Sequence, residues 1–374
     1  MKLTLTEEQE MLKKTARDFL ADKCSKEFIK QMGESETGYS GELWQEMAEL
    51  GWIGLAFPGE YGGGDMSFLD LAVLLEEMGR ACLPSPFFST VVLGGLPILD
   101  VGSNEQKQEY LPKIIGGERI LTLALTEPGY DNYDAPSVKV AANRNNDNYI
   151  ISGTKLFVPD AHIADCLLCV TKTKPEDGIT IFLVDAKDPK IEYTVLETIA
   201  GDKLCEVVFD HMPVPEASIL GRLNQGWSTV QKTIERAALG KCCDTVGNIQ
   251  RVLEMTVDYA KERKQFDRPI GSFQVIQHYC ADMATDVDGA RFSTYRAAWM
   301  LSEGLPCTKE IAIAKAWIGK ASQRVFALAH QIHGAIGATI EHDLHYYTRR
   351  AKAAELAFGD ADFYQEIVAR EMGL

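Results

Sequence analysis

The residues of this chain best suited to chemistry lie between Tyr259 and Gln274, which reads Tyr-Ala-Lys-Glu-Arg-Lys-Gln-Phe-Asp-Arg-Pro-Ile-Gly-Ser-Phe-Gln. Good helix formers, Ala260 to Lys264, run into Asp267 and Pro269, which cannot continue a helix, and a second helical pattern begins near Ser272. Arg263, Gln265 and Phe266 therefore sit where a helix gives way to an extended turn. A fixed cation, an amide and an aromatic ring presented together suit a ligand that combines phosphate, polar ring edges and a flat face. The same window also reads as a core phenylalanine beside a solvated helix end, and taken alone it leaves both readings open.

Composition narrows the partners. The 374 residues are too many for one ordinary core, so two or three domains are expected. A net charge of -16 and a pI near 5.0 argue against nucleic acid and anionic membrane surfaces. No run of apolar residues reaches transmembrane length and the amino terminus reads as neither signal nor transit segment, so a cytoplasmic protein without membrane insertion is expected. The nine cysteines are an odd number among apolar neighbours, as for reduced thiols. Cys166 and Cys169 fall in a strand-like run and read as buried thiols. His330, His333, His342 and His345 lack thiolates or carboxylates at ligand spacing, so no metal is expected.

The elements that must position the 259–274 segment emerge from periodicity. Thr6 with Gln9 makes a capping-box start for an amphipathic helix, Glu42 to Leu50 forms a helix closed by Gly51, and Leu69 to Met78 is apolar on most faces, as in a buried helix. From about Arg119 the pattern changes to short runs: Ile120 to Leu125, Tyr149 to Ile151, Leu156 to Val158, Cys166 to Val170, Ile179 to Val184 and Cys205 to Phe209. Turn material at Asn143 to Asn148 and at Lys174 to Gly178 separates them, which predicts an antiparallel β domain. Beyond Gly226 the helical period returns in Trp227 to Arg263, Ser272 to Glu303, Thr308 to Ile336 and Glu341 to Met372, enough for a four-helix bundle. The expected fold is α+β: an N-terminal α-helical domain over 1–118, a middle β domain over 119–224 and a C-terminal helical bundle over 225–374. The usual nucleotide cradles, a glycine-rich turn after a strand or a P-loop lysine, are missing, as is a Gly-x-Ser-x-Gly elbow.

On these motifs the chain resembles the acyl-CoA dehydrogenase family of flavoproteins over essentially its whole length. The motifs are Glu49-Leu50-Gly51-Trp52 with Phe57-Pro58-Gly59-Glu60-Tyr61-Gly62-Gly63, then Leu125-Thr126-Glu127-Pro128-Gly129, then Ile151-Ser152-Gly153-Thr154-Lys155 followed by Phe157, then the 259–274 segment, and Gln331-Ile332-His333-Gly334. The resemblance implies an acyl-CoA thioester held beside a non-covalent FAD. A carboxylate removes the α-proton while the β-hydrogen leaves as hydride to the flavin, and electrons pass on to an electron-transferring flavoprotein. It implies that Leu123, Leu125 and Thr126 line the flavin with Phe157 against its ring, and that Asn132 and Pro159 lie nearby. Arg263, Gln265, Phe266, Phe273 and Gln274 would serve the diphosphate and adenosine across a subunit interface, and Gln331, His333 and Gly334 would approach the same adenosine half. Alternatively, Phe157 and Phe266 are core residues, Gly334 a helix cap and Glu127-Pro128 a plain turn.

The chain departs from the family's pattern at the base. Phe358 stands where the usual catalytic glutamate belongs, and Ala237 occupies the alternative position on the first helix of the bundle. Glu235 is two residues from Ala237, roughly 200° round a helix, and Asp360 is two residues past Phe358; either is a candidate base, with an ion-paired helix glutamate and a helix cap as the plainer readings. The serine-bearing loop of the family is replaced by Gly129 to Asp134, Pro159 has no N–H to offer a flavin, and Ala335 replaces a glycine. The resemblance leaves three functions: a dehydrogenase with a non-standard base, acting on a ring-containing or branched acyl group that Ala237 and Ala238 leave room for; a catalytically silent, FAD-holding subunit of a heterotetramer; or a thioester-dependent elimination enzyme. The expected assembly is a homotetramer or an α2β2 heterotetramer with a homologous chain.

Overall fold

The computed structural model describes residues 4–129, 133–174 and 177–374. Helices occupy the chain up to Asn104–Ile115, strands run from Leu121 to Leu220, and helices resume at Trp227–Glu262. This is the α, then β, then α order that the change of hydrophobic period predicts. By packing, the chain divides into two compact units: Met1–Ile29 with Ser67–Leu83 and Ala238–Leu374, and Lys30–Met66 with Pro84–Ala237. The division falls inside the helix Trp227–Glu262.

In the first unit the helix Glu7–Lys23 starts with the reciprocal Thr6 and Gln9 cap, and Gln9 passes a further hydrogen bond of 2.9 Å to buried Asp70. The helix Phe68–Arg80 is buried all round, Glu76 and Glu77 included. That arrangement is tolerable because both carboxylates are paired: Glu76 takes Lys13 (2.9 Å) and the Tyr295 hydroxyl (2.7 Å), and Glu77 takes both arms of Arg17. A Cβ on Gly247 would fall 1.7 Å from the Glu76 carbonyl oxygen, and one on Gly79 1.9 Å from that of Asp244, so Phe68–Arg80 and Trp227–Glu262 cross backbone to backbone. Val246, Ile249, Met283, Val287, Ile318 and Val325 interdigitate in the bundle formed with Gln274–Ser302 and Thr308–His333. The expected fourth helix is two, Leu344–Leu356 and Ala361–Glu371. Phe358 and Gly359 both adopt positive φ and Asp360 caps the second of the two, so the helical ladder cannot run through.

The second unit holds the sheet: β1 (Leu121–Ala124), β2 (Ala141–Asn145), β3 (Asn148–Pro159), β4 (Cys166–Lys174), β5 (Gly178–Asp185), β6 (Ile191–Leu196), β7 (Leu204–Pro215) and β8 (Ile219–Leu220). The order is β6-β7-β3-β2-β4-β5-β8, with β1 also on β4. It is mixed rather than wholly antiparallel, because β1 and β2 each lie parallel to β4, one on its first half and one on its second. The expected turn at Asn143 to Asn148 is mostly paired strand. Only Asn146 and Asp147 turn, with Asn146 at φ +55, a conformation asparagine tolerates, and the polar residues beside it mark exposure rather than a loop. The two short runs expected at 149–151 and 156–158 are one strand whose ladder with β7 shifts register after Ile151 and after Lys155.

Candidate functional site

In the second unit, the second register shift builds the surface around Phe157. It frees the Leu156 N–H from β7, and that group donates instead to the Thr126 carbonyl oxygen (2.8 Å), tying β3 to the chain leaving β1. Phe157, next in the bulge, takes φ +54 and is 56% exposed. A large aromatic held outward at positive φ is a strained arrangement that a core phenylalanine has no use for. Leu123 and Leu125 are buried, and Thr126 is half-buried. Pro159 ends β3 opposite Leu204, and the next backbone N–H, that of Asp160, is taken by the Lys203 carbonyl (2.9 Å).

Thr126 is pinned from both sides by a pair that sequence reasoning missed. Fully buried Lys155 donates to the Leu125 carbonyl (3.0 Å) and to the Glu127 carboxylate (2.6 Å), which also accepts the backbone N–H groups of Lys139 (2.9 Å) and Val140 (3.0 Å). Burial lowers the Lys155 pKa while Glu127 opposes that shift. Thr-Glu-Pro is therefore more than a plain turn. The available signal is a lysine at the end of the alternating Ile151-Ser152-Gly153-Thr154-Lys155 run, where an inward register demands an anionic partner. Asn132 lies outside the described residues, as does Asp131.

The 259–274 segment belongs to the first unit and forms a surface of its own. Lys264–Gln265 and Arg268–Pro269 pair as a minimal antiparallel hairpin, closed by the Ile270 N–H on the Arg263 carbonyl (2.8 Å). Phe266 and Asp267 form its tip, both at positive φ, and Phe266 is 87% exposed, so it is no core residue either. Its ring meets Phe273 edge-on at 6.1 Å, and the Arg268 guanidinium lies 4.1 Å over Phe273. Arg263, Gln265 and Gln274 are exposed.

The segment Gln331 to Gly334 divides. Gln331 and Gly334 are exposed, and Gly334 ends Thr308–His333 at φ +63 and ψ −141, a conformation suited to glycine. His333 faces inward, 3% exposed, stacked on Tyr259 at 4.5 Å with the edge of His342 at 4.7 Å. Its Nδ1 donates to the Ala329 carbonyl (3.0 Å), and its Nε2 is buried without a partner among the described residues. Burial, with His342 and His330 beside it, pushes its pKa down to about 4. Tyr259 accepts the Arg263 N–H on its carbonyl (2.8 Å), so His333 packs under the turn that presents Arg263. Among the described residues no group of three histidine, cysteine or acidic side chains is placed to hold a metal. Cys166 and Cys169 are buried, with thiols pushed up to about 12.

At the base positions, Ala237 is fully buried and Phe358 is half-buried at φ +58, its carbonyl accepting the Tyr364 hydroxyl (2.9 Å). Asp360 is spent as a cap, its Oδ1 accepting the Phe363 N–H (2.9 Å). Glu235 is half-exposed, and its neighbour Arg236 pairs with Asp100 at 2.5 Å.

Each unit by itself offers a surface suited to part of a dinucleotide with a flat ring: the second an exposed aromatic beside a pinned strand end, the first an exposed arginine with another exposed aromatic on a hairpin. The class so defined is a flavin-dependent oxidoreductase. The chain belongs to the acyl-CoA dehydrogenase family, whose N-terminal, middle and C-terminal domain models match residues 6–118, 122–212 and 224–373. It acts on acyl-CoA with FAD as cofactor. It is 32% identical to a 3-(aryl)acrylate reductase of Clostridium sporogenes, over 98% of this chain and 99% of that one. It is 32% identical to an acryloyl-CoA reductase (NADH) of Anaerotignum propionicum, over 100% and 96%. A chain of the ChsE4-ChsE5 complex from Mycobacterium tuberculosis superposes with a TM-score of 0.91 at 29% identity, covering 100% of this chain and 99% of that one. No helix among the described residues is long and apolar enough to cross a membrane.

Proposed function

We propose that this chain dehydrogenates an acyl-CoA thioester between its α and β carbons and passes the electrons to an electron-transferring flavoprotein, with a base at neither familiar position. The observation that supports this reading is that Phe157 and Phe266 are both exposed and both at positive φ, each on its own braced support. Bound FAD supplies the hydride acceptor. Thr126 and the neighbouring backbone would border the ring and Phe157 would offer it a flat face, on a backbone that Lys155 and Glu127 pin. Arg263 would serve the diphosphate with its guanidinium fork, and Phe266 would cover the adenosine half.

A silent subunit of a mixed tetramer is the second reading, favoured by Phe358 at the base position and by the use of Asp360 as a cap. The similarity to a chain of the ChsE4-ChsE5 complex supports a homologous partner. The two relatives named reductases support the opposite direction, in which an acid must deliver the α-proton. Expressing the chain alone, recording its visible spectrum and adding acyl-CoA without oxygen separates the readings. Bleaching of a bound flavin is expected. A colourless chain that gains flavin only with a second, homologous chain would establish the silent subunit instead.

A further inference from the structure

In the second unit the run from Pro86 to Ile98 is apolar except for two adjacent hydroxyls, Ser89 and Thr90, and both are buried, 1% and 0% exposed. A buried hydroxyl needs a partner, and these two find theirs on the strand ends that meet beside Phe157. The Ser89 hydroxyl donates to Oδ2 of Asp160, the residue just past the end of β3 (2.5 Å); the Pro86 carbonyl in its own turn is the longer contact (3.0 Å). Thr90 Oγ1 accepts the N–H of Leu121, the first residue of β1 (3.3 Å). Both hydroxyls stand on a π-helix, Phe88–Gly95, a rare form of backbone that tends to occur where function requires it. That helix lies directly on the start of β1, since a Cβ on Gly94 would fall 2.5 Å from the Leu121 Cβ.

The segment from Leu156 to Asp160 is therefore fixed at both ends, with Phe157 between. At one end the Leu156 N–H donates to the Thr126 carbonyl (2.8 Å); at the other, Asp160 takes φ +54, donates its N–H to the Lys203 carbonyl (2.9 Å) and accepts the Ser89 hydroxyl. The chain from Leu121 to Thr126 is held in the same manner, by Thr90 at its start and by Lys155 on the Leu125 carbonyl near its end (3.0 Å). One buried helical turn thus grips both. We propose that Ser89 and Thr90 are positioning residues for the cofactor, fixing the separation of the two chain segments that carry Phe157 and Thr126 and with it the surface on which the flavin ring rests. The inference rests on the reading, given under Proposed function, that these two residues face the ring. Neither hydroxyl needs to touch the flavin; each acts through the segment it holds, and displacement of a supporting shell by a fraction of an ångström is enough to loosen a site.

The test is FAD titration of the flavin-stripped chain, with visible circular dichroism of the bound flavin as a second readout, in the natural chain, Ser89→Ala, Thr90→Val, Phe157→Ala and the two double variants that add Phe157→Ala. Ser89→Ala and Thr90→Val are each expected to weaken FAD binding by about three- to tenfold and to alter the flavin dichroism. On the Phe157→Ala background the same substitutions should change affinity by less than about twofold, because the group they act through is gone. Melting of the flavin-free chain confirms folding, and if one hydroxyl variant fails to fold the other decides. Undiminished affinity in the hydroxyl variants, or losses that simply add to that of Phe157→Ala, would overturn the positioning role while leaving Phe157 against the ring. Full affinity in Phe157→Ala would overturn the reading of Phe157 and the inference with it.

Discussion

Phe157 and Phe358 are both phenylalanines forced to positive φ in this chain, and they sit in opposite surroundings. Around Phe157 everything is braced: the bulge, the Leu156 to Thr126 hydrogen bond and the buried Lys155–Glu127 pair hold the backbone so that the ring points outward. Around Phe358 the polar groups are consumed locally, the carbonyl by Tyr364 and the next acid by its own helix. One region keeps a strained geometry for presenting a surface. The other keeps the turn but supplies no carboxylate to a reactant. On the reading proposed above, holding the cofactor and removing the proton fall to different regions of the chain.

Putting the acid back should remove this contrast altogether. Phe358→Glu is expected to raise the rate of anaerobic flavin bleaching by acyl-CoA by about 10²-fold or more, the scale of a positioned acid–base group; no gain would mean that the turn no longer presents its side chain to a thioester. Glu127→Ala attacks the braced side. It leaves Lys155 buried and unpaired, so a loss of about 3–5 kcal/mol in denaturant unfolding is expected together with loss of bound flavin. A change below about 1 kcal/mol would show that the pair is not what holds Thr126. Arg263→Ala removes a charge-assisted contact and should weaken FAD binding by roughly ten- to a hundredfold in flavin titrations while the melting of the flavin-free chain stays unchanged.

The smallest effect concerns His333. Its pKa is depressed to about 4, so the unfolded chain binds the proton more readily. Stability should fall as pH drops below about 6.5, the usual histidine value, with the loss complete near pH 4. His333→Phe should flatten that part of the melting profile, and an unaltered profile would assign the loss to other groups.

More of the cofactor side than of the rest is legible in the amino-acid sequence. Arg263 and Phe266 stand out because helix formers, a turn and a lone aromatic occur together, and the α-β-α order because the hydrophobic period changes near Arg119 and again at Gly226. The features that escape depend on partners far apart in the chain. The parallel pairings of β1 and β2 with β4 leave no local mark, β6 is an exposed edge without an apolar run, and the inward turn of His333 comes from packing on Tyr259.

Whether this chain uses its FAD on a thioester without the familiar base is decided by the visible spectrum of the purified chain during anaerobic addition of octanoyl-CoA. A yellow protein whose flavin band bleaches is expected. A protein that binds flavin alone but is not bleached by the thioester, or that binds no flavin without a homologous partner, would contradict that combination of holding and use.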